Sequence, residues 1–136
     1  MKEHFREYDD ICSRIKELES KLYELKLSMY SISGIQYDKI PSESHNKDII
    51  LSQITEIDDV NAEIMQLNIK KQALYNKHLG EIAKISQEKY RTVLRCWYLL
   101  KLDISSIENT MKISRQHIYR LKREAEKEFM RQNATN

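Results

Sequence analysis

Glycine, proline and cysteine are all scarce in this chain: two Gly, one Pro and two Cys among 136 residues. So few chain-breaking residues exclude a fold of many short elements and turns, and favour long uninterrupted helices. They also exclude a glycine-rich phosphate loop. Cys12 and Cys96 form no CxxC pair and no Cys/His set with metal spacing, so two reduced thiols and no metal site are expected. No apolar run approaches the roughly 18 residues of a membrane span. The opening "MKEHFREYDDIC" is too charged for a signal peptide. These readings predict a cytoplasmic protein with no membrane partner.

Catalytic signatures are equally thin. His4, His45, His78 and His117 are scattered with no HExxH, and no paired carboxylates stand in a pocket-forming context. Helices with 8% aromatics leave little concavity for a catalytic pocket. An enzyme is not expected, and no cofactor is implied.

What the chain does have is charge and helical periodicity. Charged residues make up 32% and hydrophobic residues 40%, a balance suited to helices that bury one stripe and solvate the rest. The charge is unevenly spread. Residues 1–85 hold 12 Lys/Arg against 15 Asp/Glu, and residues 86–136 hold 11 against 6. A basic C-terminal third behind an acidic body points to a nucleic-acid-binding end.

Ile11, Ile15, Leu18, Leu22, Leu25 and Met29 follow a heptad stripe, which predicts a helix from about Phe5 to Tyr30. Residues 31–46 lose the pattern and contain the only Pro; they read as a connecting loop. Ile50, Ile54, Ile57, Val60, Ile64 and Leu67 resume it, and Leu74, Ile82 and Ile85 extend it past Lys71 and His78. Gly80 costs that helix up to about 1 kcal/mol relative to Ala without breaking it. Two such stripes close as an antiparallel hairpin or pair with a second chain. From "ISQEKYRTVLRCWYLLKLD" onward the apolar and aromatic density rises. Ser86 reads as a helix N-cap there and Trp97 as a core anchor. The expected architecture is all-α: a helical hairpin or coiled-coil oligomerisation region over 1–85, then a helix-turn-helix unit over 86–136.

The helix-turn-helix reading rests on Ile107, Met111, Ile113, Ile118 and Leu121, at offsets 4, 2, 5 and 3. Ile107 and Met111 share one helix face, a turn brings Ile113 inward, and a second helix capped by Ser114 buries Ile118 and Leu121. Glu108 stands where a small residue usually lets the helices cross. Lys112 stands where Gly usually supplies φ > 0, at a cost of about 1 kcal/mol. With Ile118 and Leu121 inward, Ser114, Arg115, Gln116, Tyr119, Arg120, Lys122 and Arg123 form the outward, DNA-binding face. Ser114 and the first turn suit phosphate, because a helix N-terminus favours anions. Arg grips guanine and Gln grips adenine in the major groove, while Lys122 and Arg123 suit backbone phosphates.

The stretch "SRQHIYRLKREAEKEF" resembles the recognition helix of the fourth region of bacterial sigma factors, which binds promoter DNA. Gln116 replaces an acidic residue of that region, so its sequence preference does not carry over. The wider pattern, with Tyr90, Arg91, Val93, Leu94 and Tyr98 before the motif, resembles the ArpU/RinA-like phage transcriptional regulators. That resemblance implies control of phage genes through double-stranded DNA, with base contacts from Arg115, Gln116, Tyr119 and Arg120. The function expected is a sequence-specific phage or prophage regulator, with helix 114–129 in the major groove. It would act as a homodimer or higher homo-oligomer, and RNA polymerase is a further candidate partner. The alternatives are a small terminase-like DNA-packaging subunit and a protein-binding adaptor that neutralises a host factor. The operator and the direction of regulation are not encoded in any motif.

Overall fold

The computed structural model describes residues 1–35 and 43–134, and every described regular element is helical. The helices are α1 (Arg6–Ile35), α2 (Glu43–Ala83), α3 (Glu88–Leu94), α4 (Ile104–Met111) and α5 (Arg115–Ala134). A π-helical segment, Arg95–Leu99, continues α3. Both long helices reach into the expected loop over 31–46: α1 runs to Ile35 and α2 begins at Glu43. The remainder of that loop, 36–42, lies outside the described residues. Gly80 interrupts nothing, because α2 continues to Ala83.

The chain divides into two compact units, one of Asp9–Lys71 and one of Met1–Tyr8 with Gln72–Asn136. The boundary expected near residue 85 falls inside the second unit, which takes in the first eight residues and the last turns of α2.

In the Asp9–Lys71 unit, α1 and α2 run antiparallel. Arg14 pairs with Glu63 at 3.2 Å, Lys21 with Glu56 at 3.8 Å, and Gln53 Nε2 donates to Ser28 Oγ at 3.2 Å. Cys12, Ile15, Leu18 and Val60 are buried between them. The predicted stripe is right in period and slightly off in phase. Cys12 is buried where Ile11 is half-buried, and Ile54 is exposed. Ion pairs this exposed are screened by solvent and contribute little, so the apolar seam holds the two helices together.

The second unit has the denser core. Phe5 and Tyr8, the N-terminal continuation of the α1 stripe, are fully buried. Phe5 stacks on Tyr98 at 4.6 Å and meets Phe129 at 5.8 Å. Ile82, Ile85, Val93, Leu94, Leu99, Ile107, Ile118, Leu121 and Ala125 complete the core. The π-helical segment closes with Leu100 N–H donating to the Arg95 carbonyl at 2.8 Å, and it ends at a left-handed Lys101. The widened turn leaves the Leu99 carbonyl to accept from Tyr8 Oη at 2.9 Å. Ser86 is not the cap of α3. That position belongs to Gln87, without a side-chain cap bond, while the Ile85 and Ser86 carbonyls accept from Arg91 Nη1 at 2.7 and 2.8 Å.

Candidate nucleic-acid interface

Both ends of α4 are set by specific residues. Asp103 caps it, its carboxylate accepting from Ser106 N–H at 2.8 Å; the Ser106 hydroxyl first and this backbone bond second hold the carboxyl below its usual range. At the other end Lys112 adopts φ 58°, ψ 39°, and its N–H donates to the Glu108 carbonyl at 2.8 Å. This left-handed C-cap is the bend expected from the apolar spacing. Ser114 then opens α5: its Oγ accepts from His117 N–H at 3.2 Å and its carbonyl from Ile118 N–H at 2.9 Å. α5 packs on α3 and α4 through Ile118, Leu121, Ala125 and Phe129. The Tyr90 hydroxyl reaches Glu124 at 3.2 Å, and the Tyr98 hydroxyl reaches Glu126 at 2.5 Å.

Six of the seven expected DNA-binding residues fall into two rows on α5, and Ser114 precedes them at its cap. Gln116, Arg120 and Arg123, at spacings of four and three, point away from the buried face and are exposed. Among the described residues none of these three side chains has a hydrogen bond or ion pair within the chain. Lys127 continues this row by one more turn, and sequence reasoning missed it; the 4, 3, 4 spacing after Gln116 was the available signal.

Arg115, Tyr119 and Lys122 form the second row, and each is engaged. Arg115 Nε donates to Glu108 at 2.8 Å and its Nη2 lies 3.5 Å from Ser105 Oγ. The Glu108 carboxylate at the helix crossing is thereby paired across the turn. Tyr119 meets the edge of Trp97 at 5.8 Å. Lys122 lies over the Trp97 ring at 4.6 Å and pairs with Glu126 at 2.7 Å. Trp97 is therefore not the buried anchor expected. It is half-buried and supports the base of this row. Ser114 is exposed at the N-terminus of α5. At the far end Arg131 and Gln132 hold the Glu128 carboxyl down at about 2.

Chemically, the outer row presents one amide and two guanidiniums, with an ammonium beyond them. That is hydrogen-bonding capacity and positive charge on one helix face.

A protein family described as "Protein of unknown function (DUF1492)" matches residues 31–130. This chain belongs to that family. The DUF1492 region takes in α2 to α4 and α5 as far as Met130, so both rows lie inside it. His4 and Phe5 lie outside it. No curated protein and no solved structure matches the chain.

Proposed function

We propose that this DUF1492 chain is a sequence-specific DNA-binding regulator of phage or prophage genes, with α5 entering the major groove. The observation that carries the reading is the outer row, Gln116, Arg120 and Arg123, exposed and without intramolecular partners on the helix that follows a left-handed turn. Gln116 and Arg120, with unsatisfied donors at the first turns of such a helix, match base-edge readout, and Arg123 and Lys127 match phosphates. The resemblance to ArpU/RinA-like regulators and to a sigma-factor recognition helix supports the same assignment. Arg115 takes part by exchanging its Glu108 contact for a base or phosphate, whereas Lys122 acts mainly as a support on Trp97.

The Asp9–Lys71 unit supplies self-association in this reading. Tyr23, Leu27, Leu51, Met65 and Ile69 are exposed there, Met65 and Ile69 by 67% each. We assign this apolar exposure to contact with a second copy of the chain. No helix among the described residues is long and apolar enough to cross a membrane. RNA polymerase remains a candidate further contact of the assembled regulator.

Selection of bound fragments from the surrounding genome, with oligomer mass measured alongside, tests this reading. A dimer that enriches one duplex, with affinity falling steeply in salt, is the expected result. A ring of eight or more copies would support the packaging subunit instead. Absence of any duplex binding at low salt would leave the protein-binding adaptor.

A further inference from the structure

In the unit that contains α5, two histidines and a glutamate meet in an arrangement that DNA binding does not use. His4 Nε2 lies 2.9 Å from both Glu81 carboxylate oxygens. His78 Nδ1 lies 2.6 Å from Glu81 Oε1. The three donor atoms all fall within 4.8 Å of one another. His78 is only 2% exposed, the one buried polar side chain among the described residues, and Glu81 is largely covered.

We propose that His4, His78 and Glu81 bind a divalent transition-metal ion of the zinc class. The donor set of two imidazole nitrogens and one carboxylate suits zinc and its neighbours. Magnesium and calcium prefer oxygen alone, and copper(I) prefers sulfur. Metal–ligand bonds of about 2.0–2.1 Å in a tetrahedron place donors roughly 3.3 Å apart. The His4–Glu81 and His78–Glu81 separations, 2.9 and 2.6 Å, need to open by about 0.4 and 0.7 Å, and the two imidazole donors, within 4.8 Å, have at most about 1.5 Å to close. His78 and Glu81 are three residues apart on α2, so they project from one helix face. His4 comes from the N-terminal turn, closed by its own N–H to the Met1 carbonyl at 3.0 Å.

The rings are already held in place. His78 sits 4.5 Å from the Phe5 ring, and His4 meets Phe129 edge-on at 5.3 Å. Glu81 joins the two rings, with one carboxylate oxygen in reach of both His4 Nε2 and His78 Nδ1. Neutral imidazoles bind the ion by moving their protons to His4 Nδ1 and His78 Nε2. The ion then enters without net proton loss from neutral rings. The fourth position opens on the His4 side, where the side chain is 35% exposed. A bound ion would tie the N-terminal turn to α2, beside the Phe129 end of α5. The proposal stands independently of the DNA-binding reading.

Titration of the full, metal-free chain with zinc against a chromophoric chelator tests it. One ion per chain is expected, with a rise in thermal midpoint on saturation. His4→Ala and Glu81→Gln should each weaken binding about 100-fold, since even a supporting contact to a ligand is worth roughly 10–100-fold. The cobalt(II) form should lack the intense thiolate charge-transfer band. Unchanged zinc affinity in both variants, a thiolate band, or no stoichiometric binding would overturn the proposal. His4 is partly exposed, so His4→Ala decides the matter even if Glu81→Gln unfolds the unit.

Discussion

Replacing Lys112 by Gly should stabilise the protein slightly, and replacing it by Val should destabilise it clearly. Lys112 holds φ 58°, ψ 39°, where an L-residue carries a steric cost of about 1–2 kcal/mol. Glycine escapes that cost but loses roughly 0.5–1 kcal/mol more backbone entropy on folding. The net gain is about 0.5–1 kcal/mol. Valine branches at Cβ and is a strong outlier in this region, so it should lose more than about 1 kcal/mol. Little else changes, because Lys112 is exposed and its backbone bond to the Glu108 carbonyl persists in all three proteins. Urea unfolding reads the result. With slopes of about 1–3 kcal/mol/M, Gly moves the midpoint up by a few tenths of a molar and Val moves it down by about half a molar. Equal midpoints for Lys and Val, together with a loss for Gly, would mean that the chain does not bend through a left-handed residue. The placement of α5 would fall with it.

Three other changes follow from local geometry. Gly80→Ala should stabilise by about 1 kcal/mol, because the added methyl meets nothing within 4 Å on an exposed helix position; calorimetry showing a loss would contradict it. Glu108→Gln should strengthen binding to random duplex about 3–10-fold at low salt, by freeing Arg115 and removing one negative charge, with the gain shrinking as salt rises. A salt-independent loss in fluorescence anisotropy would show that the pair positions Arg115 instead. The lowered Glu81 carboxyl contributes stability that is present above its unfolded value of 4.5 and lost as pH falls below it. Glu81→Gln should therefore flatten part of the acid limb of stability against pH, and an unchanged limb would remove that role.

Much of the local organisation was legible because it depends on periodicity. The stripe from Ile11 to Met29 and its partner from Ile50 to Leu67 place two long helices to within a few residues. The offsets from Ile107 to Leu121 require the bend that Lys112 makes. Other features were not legible, because they depend on residues brought together from far apart. Glu81 faces His4 across 77 positions, so no spacing rule could join them. Phe5 and Tyr8 extend the α1 stripe by i,i+3, yet their burial depends on Tyr98 and Phe129. The π-helical turn leaves no mark on composition. It changes what Trp97 does: the ring becomes a half-buried platform for Tyr119 and Lys122. The same packing divides six of the seven expected DNA-binding residues into an unengaged row and an engaged one, with Ser114 capping the helix, a distinction invisible on a helical wheel that lacks α4 and Trp97.

The most direct test is binding of Gln116→Ala and Arg120→Ala to a selected duplex and to random duplex at one fixed salt. Each substitution should cost about 1–3 kcal/mol on the selected sequence and distinctly less on the random one. Equal losses on both duplexes, or none on either, would contradict base reading by the outer row of α5.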